Sequence, residues 1–263
     1  MEIIDFHAHI YPDAIAAAAV QAVGRFYSIE MEGGAGTADS LLRAGDRAGI
    51  SKFVVHSVAT KPHHVASINR FIAEQVHLHP DRLIGYGTVH PDMEDPESVI
   101  QSIFELGLRG IKIHPDTQAF NMDDPRMFPV YELIRGKLPL LIHCGDYRYD
   151  FSHPRRLVNL LRNFPDLTVI GAHFGGWSIP EIAYDTLKDE NCYLDCSSSR
   201  FILGPRRMRE LIRMFGSERM LFGSEYPMWD PADELSAFYS YGLTDRECEQ
   251  ILSENPKRVL GDL

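Results

Sequence analysis

Short runs of β-branched and aliphatic residues recur eight times along this chain, and a helical stretch follows each of them. The runs fall near Ile3 to His7, Lys52 to Val58, Leu83 to Val89, Arg109 to His114, Leu138 to His143, Leu167 to Ala172, Cys192 to Cys196 and Met220 to Phe222. Intervening helices are expected at, for instance, Pro96 to Leu106, Pro154 to Asn163 and Gly204 to Phe215, two of which open with a Pro that suits a first helical turn. Repeated strand and helix units imply parallel strands joined by right-handed crossovers. Eight of them in 263 residues point to an α/β protein built as a single (β/α)8 TIM barrel. An open doubly wound sheet is the alternative, and the lack of a glycine-rich phosphate or dinucleotide loop after the first strand counts against it. Residues 1–263 read as one domain, without linker or repeat. The Gly- and Met-rich stretch from Gly24 to Thr37 reads as a long surface loop over the mouth rather than a lid.

The formal net charge of -11 opposes binding to phosphate backbones or anionic lipid, so the substrate is expected to be a small molecule and not nucleic acid. The opening MEIIDFHAHI lacks the basic and then apolar pattern of a signal peptide. The longest apolar stretch, Ala14 to Val23, falls well short of the roughly 20 residues a membrane helix needs. Cys144, Cys192, Cys196 and Cys248 form no CxxC pair, and Cys192 and Cys196 stand about 13 Å apart on one strand, beyond disulfide reach. These features fit a cytoplasmic protein with reduced thiols and no membrane partner, and a homodimer is the default assembly for such a barrel.

The histidines then become informative by position. His7 and His9 close the first strand, His90 follows the third, His114 closes the fourth, His143 closes the fifth, His173 follows the sixth, and Glu225 comes directly after the eighth. In a parallel barrel all these ends meet at the face that carries catalysis. Residues two apart on a strand point the same way, so His7 and His9 can share one ion. Two imidazoles from the first strand, one from the fifth and a carboxylate from the eighth form a nitrogen and oxygen set that suits zinc or another divalent ion such as manganese. Strand parity turns Lys112 inward with His114 and leaves Ile111 and Ile113 facing the helices. Asp5 falls on the same face as His7 and His9, lower in the barrel.

Six segments together resemble the amidohydrolase superfamily, and more narrowly its amidohydrolase-2 branch, related to aminocarboxymuconate-semialdehyde decarboxylase. They are DFHAH at 5–9, GIKIHPD at 110–116, LLIHCG at 140–145, GAHFGG at 171–176, FGSEYPMWDP at 222–231 and the closing SENPKRVLG. The resemblance implies that His7, His9 and His143 hold one metal ion rather than two, and that His173 orients or deprotonates a water. The carboxylate after the eighth strand, usually Asp in the family, is here Glu225, whose extra methylene moves the carboxylate outward by more than about 1 Å. It can ligate the metal, carry protons, or mark a barrel with altered catalysis. Some superfamily branches carboxylate a lysine where Lys112 stands, but pairing with an interior carboxylate such as Asp5 or Glu225 is the expectation in this branch.

Arg148 can fork onto an anionic substrate group, and His114 and Trp177 can wall the pocket, as can His90 and Trp229. The first expectation for chemistry is metal-assisted hydrolysis of a small amide, ester or lactone, with His173 and Glu225 moving the proton. The alternative is non-oxidative decarboxylation of a small carboxylic acid by the same residues. A metal-dependent nuclease or phosphoesterase also begins with HxH, but relatives of that kind bring a Glu from the fourth strand, where this chain has Lys112 and His114.

Overall fold

The computed structural model describes residues 1–261, so the last two residues of the domain expected over 1–263 lie outside the described residues. Eight parallel strands pair in sequence order. They are β1 (Ile4–His9), β2 (Lys52–His56), β3 (Leu83–Thr88), β4 (Gly110–Ile113), β5 (Leu140–Ile142), β6 (Val169–Gly171), β7 (Tyr193–Asp195) and β8 (Met220–Leu221). Backbone bonds close the ring between its ends: Phe6 N–H donates to Phe222 O and Glu225 N–H to His7 O, both at 2.8 Å. The result is the (β/α)8 TIM barrel that the alternating runs predict.

The first crossover carries α1 (Asp13–Tyr27) and α2 (Ala38–Ala48), the second α3 (Val65–Leu78), and the third α4 (Pro96–Glu105). Next come α5 (Pro115–Gln118) and α6 (Phe128–Ile134), then α7 (Pro154–Asn163), α8 (Pro180–Leu187) and α9 (Arg200–Phe215). The chain ends in α10 (Pro231–Ser240), α11 (Asp245–Glu249) and α12 (Asn255–Leu260). Local chemistry sets several of these starts. The Asp95 carboxylate accepts Ser98 N–H at 3.0 Å and Pro96 fills the first turn of α4, while Asp230 and Pro231 do the same for α10. The helix expected from Gly204 begins four residues earlier at Arg200, with a kink at Gly204 whose φ of 69° no helix interior adopts. The loop expected from Gly24 also begins later, because α1 runs on to Tyr27 and ends at Ser28 in the left-handed region.

Two apolar layers fill the molecule. The outer one joins sheet to helices and includes Ile111 and Ile113, as parity requires. The inner one plugs the barrel with Ile4, Phe6, Val54, Tyr86, Leu141, Ile170 and Leu221. Pairing of β1 with β2 slips between Asp5 and Ala8, so Phe6 lies in the inner plug although His7, its neighbour, faces the mouth. Asp5 therefore does not share the HxH face. Instead, its Oδ1 accepts the N–H groups of His7 and Ser224, each at 3.0 Å.

Phe6 meets Tyr86 edge-on with ring centroids 5.8 Å apart, and Tyr86 lies directly over Gly110, where an added Cβ would come within 2.3 Å of the ring. Gly110 is thus the gap that lets the largest side chain of the plug fit. Gly110→Ala is expected to destabilise the fold by about 1–3 kcal/mol, and Tyr86→Val in the same chain to recover part of that loss. Urea denaturation of the single and double variants measures both.

Candidate metal centre at the barrel mouth

A buried carboxylate organises the mouth. Asp195, the last residue of β7, is fully buried; its Oδ2 accepts His7 Nδ1–H at 2.8 Å. Its Oδ1 accepts the backbone N–H of His173 and that of Ser197, each at 3.0 Å, and the Ser197 hydroxyl at 2.5 Å. Burial opposes its ionisation, but the charge and hydrogen bond of His7 outweigh that and hold it below the ordinary carboxylate range. With Nδ1–H committed to Asp195, His7 presents the Nε2 lone pair to the cavity. His173 is set the same way, since its Nδ1 lies 2.9 Å from the Ser197 carbonyl, an acceptor only.

Glu225 reaches into this bank of nitrogens. Its Oε2 lies 3.0 Å from His7 Nε2 and 3.7 Å from His173 Nε2, and its Oε1 lies 3.3 Å from His9 Nε2. Burial works against its charge, yet the facing His7, His173 and His9 keep its pKa well below the usual value. The His7 ring is pushed down to about 4, chiefly by burial, so it is neutral at pH 7. Both His173 and Glu225 occupy the left-handed region, with φ of 58° and 60°. Strain of that kind, about 1–3 kcal/mol per residue, concentrates at sites where backbone position is dictated by function.

His143 belongs to a neighbouring group. Its Nδ1 lies 3.1 Å from His173 Nε2 and its Nε2 3.4 Å from Asp116 Oδ2, and its ring stacks on His114 with centroids 3.8 Å apart. Among the described residues, three sets of side chains have ligand atoms within 4.8 Å of one another: His7 with His9 and His56, His7 with His173 and Glu225, and His114 with Asp116 and His143. The two strand-one imidazoles and Glu225 thus converge, whereas His143 joins them through His173.

The other expected residues divide. Lys112 is fully buried and donates to His7 Nε2 at 2.8 Å; burial lowers its pKa to about 8. It makes no ion pair with Asp5 or Glu225 among the described residues, because Asp5 is engaged by backbone N–H groups and Glu225 turns to the imidazoles. Arg148 holds Asp146 with Nε at 3.0 Å from Oδ1 and Nη2 at 2.6 Å from Oδ2, while Nη1 donates to Phe26 O at 2.6 Å. Its guanidinium is a strut under the end of α1 rather than a fork open to substrate. His114 lines the cavity and meets the Tyr27 hydroxyl at 2.6 Å, but Trp177 stands behind Tyr27, with ring centroids 4.8 Å apart. Trp229 donates from Nε1 to Ser198 Oγ.

The sequence reading passed over Asp195, His56, Ser197, Asp116 and Tyr27. Two of these carried a signal: Asp195 and His56 lie in expected strands at positions that, by the barrel rule, open on the mouth. His56 is fully buried, 4.3 Å from His9 centroid to centroid, and neither ring nitrogen has a partner. Tyr27 carried no such signal, since its role depends on how far α1 extends.

A divalent ion fits this donor set. Lone-pair nitrogens facing a carboxylate, together with unpartnered buried atoms on His56, His143 and Asp116, are groups that a cation satisfies and that are costly to bury otherwise. Fold and site together define a TIM barrel with a His- and carboxylate-rich mouth of the kind that holds a metal. The chain belongs to the amidohydrolase family Amidohydro_2, whose model matches residues 4–261.

It is 42% identical over 248 residues to 2-amino-3-carboxymuconate-6-semialdehyde decarboxylase of Dictyostelium discoideum; the match covers 74% of this chain and 65% of that relative's length. An uncharacterised TIM-barrel protein from Bordetella bronchiseptica superposes with a TM-score of 0.81 at 22% identity, covering 99% of this chain and 98% of the other. A dihydroxybenzoic acid decarboxylase from Polaromonas sp. JS666, solved with bound manganese and the inhibitor 2-nitroresorcinol, gives a TM-score of 0.75 at 18% identity, covering 98% and 96%. No helix among the described residues is long and apolar enough to cross a membrane.

Asp5 supplies a pH test of the wall beneath the site. Burial raises its carboxyl to about 7 from the usual 3.8. Between those values the folded chain keeps a proton that the unfolded chain has lost, so this group's contribution to stability falls as pH rises from about 4 through 7. Asp5→Asn keeps an acceptor for both N–H groups and is expected to remove that slope, a difference on the order of 2–4 kcal/mol between pH 4.5 and 8. Urea titrations of the metal-free protein at several pH values measure it; parallel curves for wild type and variant would contradict the assignment.

Proposed function

We propose that the protein is a metal-dependent, non-oxidative decarboxylase of a small carboxylic acid, with His7, His9, His143 and Glu225 holding the ion and His173 with Glu225 moving the proton. The observation that carries the reading is the 42% identity to a named decarboxylase. That identity favours decarboxylation over hydrolysis, the first expectation from sequence. The mouth supports the same choice, since the cavity beside Glu225 is walled by Ala19, Ala22, Val23, Phe26, Met31 and Met228. Apolar walls strip water from a bound carboxylate and so favour its departure as neutral carbon dioxide.

A divalent cation supplies Lewis-acid stabilisation of negative charge. The chain's residues do the rest. When the bond from carbon to the carboxylate breaks, its electron pair stays on the substrate carbon and a proton must arrive there. His173 keeps Nδ1–H on the Ser197 carbonyl, so Nε2 takes up and releases that proton, and Glu225 Oε2 stands 3.7 Å away to exchange it. Asp195 fixes His7 in the tautomer that leaves Nε2 for the ion. Phe26 and Tyr27, held by Arg148 and His114, keep the mouth dry.

Carbon dioxide release from a panel of carboxylic acids, in water labelled with oxygen-18, tests the reaction. Carbon dioxide release without label in the decarboxylated organic product is expected, and label in the carboxylic acid formed from an amide, ester or lactone would restore hydrolysis. Chelation should abolish turnover, and manganese or zinc should return it. Asp195→Asn is expected to weaken metal binding by about 10–100-fold in chelator competition, because an amide no longer enforces the His7 tautomer. A Glu225→Asp variant that is active where the wild type is inert would instead mark a barrel whose chemistry has changed.

A further inference from the structure

Resting on the decarboxylase reading, but departing from the two-carboxylate amino acid for which its 42% identical relative is named, we propose that the acid taken by this site carries a single carboxylate on an uncharged, apolar body. The cavity at the mouth has a volume of about 450 Å³, within the range of small-molecule sites. None of the residues lining it is Lys or Arg, and its two acidic side chains are Asp116, whose carboxyl burial raises to about 7, and Glu225.

Two cations stand beside the site without lining the cavity. The Lys112 ammonium is fully buried beside His7, at the end where the reacting carboxylate would lie. Arg148 is spent on Asp146 and the Phe26 carbonyl, on the far side of the Phe26 ring, which its guanidinium covers at 4.8 Å. A second carboxylate on the body of the substrate would therefore meet aliphatic carbon, the aromatic rings of Phe26 and Tyr27, or the Asp116 carboxyl. No positive charge on the wall offsets the water it gives up. The polar positions that the wall does offer, the Tyr27 hydroxyl on His114 and the hydroxyls of Thr60 and Thr117, suit a neutral oxygen substituent.

Selectivity of this origin should reach about 100-fold, the scale on which an apolar pocket rejects a misplaced polar group. Calorimetric titration of the manganese-loaded protein with matched pairs of shape tests it: p-toluate against terephthalate, and m-toluate against isophthalate. The toluates are expected to bind and the phthalates to bind at least tenfold more weakly. A smaller gap, a preference for the phthalates, or no binding by either class overturns the inference. Carbon dioxide release, followed in parallel on mono- and dicarboxylic acids, separates this proposal from the one beneath it. A toluate preference without carbon dioxide from any acid sinks the decarboxylase reading and leaves the cavity's preference standing, whereas turnover of dicarboxylates alone sinks the preference and keeps the reaction.

Discussion

The hydrogen bond from His7 Nδ1 to Asp195 spans 188 residues of sequence and joins β1 to β7 across the intervening β8. The same carboxylate receives the His173 and Ser197 N–H groups, so one buried anion fixes a ring on β1, the turn after β6 and the turn after β7. Removing a charge of this kind from water is costly, and here four donors offset the loss. The consequence is chemical as much as structural. Imidazoles are ambiguous ligands until one nitrogen is committed, and Asp195 and the Ser197 carbonyl commit Nδ1 on His7 and His173. Glu225 Oε2 then finds the Nε2 lone pairs of His7 and His173 opposite it, an arrangement that calls for a cation.

Most of the fold was legible in the sequence because a parallel barrel writes itself in a repeating code. Each strand is a short apolar run, each helix has its own period, and many helices announce their start with Pro or a capping residue. All eight strands lie where those runs fall, with ends shifted by up to a few residues. The mouth was legible by the same rule, since strand ends share one face, and this is how His7, His9, His143, His173 and Glu225 stand out without coordinates. What escaped was whatever depends on exact register or on neighbours remote in the chain. Asp5 was expected on the HxH face, and the slip in β1 moved it into the wall. Arg148 looked free for substrate because nothing in the sequence says that Asp146, two residues away, and the end of α1 would occupy its donors.

The extension of α1 joins these threads. Its last turn brings Phe26 and Tyr27 over the mouth, where a loop was expected. Arg148 and His114 pin it there through one carbonyl and one hydroxyl. The Arg148 guanidinium, expected to meet substrate, thus supports the wall, and the side of the cavity that α1 builds is mostly hydrocarbon. Under the proposed reading, specificity comes from what the cavity refuses rather than from a cation that recognises the body of the substrate.

The slip in β1 separates two jobs that an unbroken strand would bind together. In regular alternation, any change of phase that suited the inner plug would swing both imidazoles outward toward the helices, so packing and chemistry would be inherited as one unit. With the irregularity between Asp5 and Ala8, Ile4 and Phe6 obey the demands of the floor while His7 and His9 obey those of the mouth. The barrel's base is thereby free to drift in sequence without disturbing the ligands above it, and loss of a single residue at that point would be enough to couple them again.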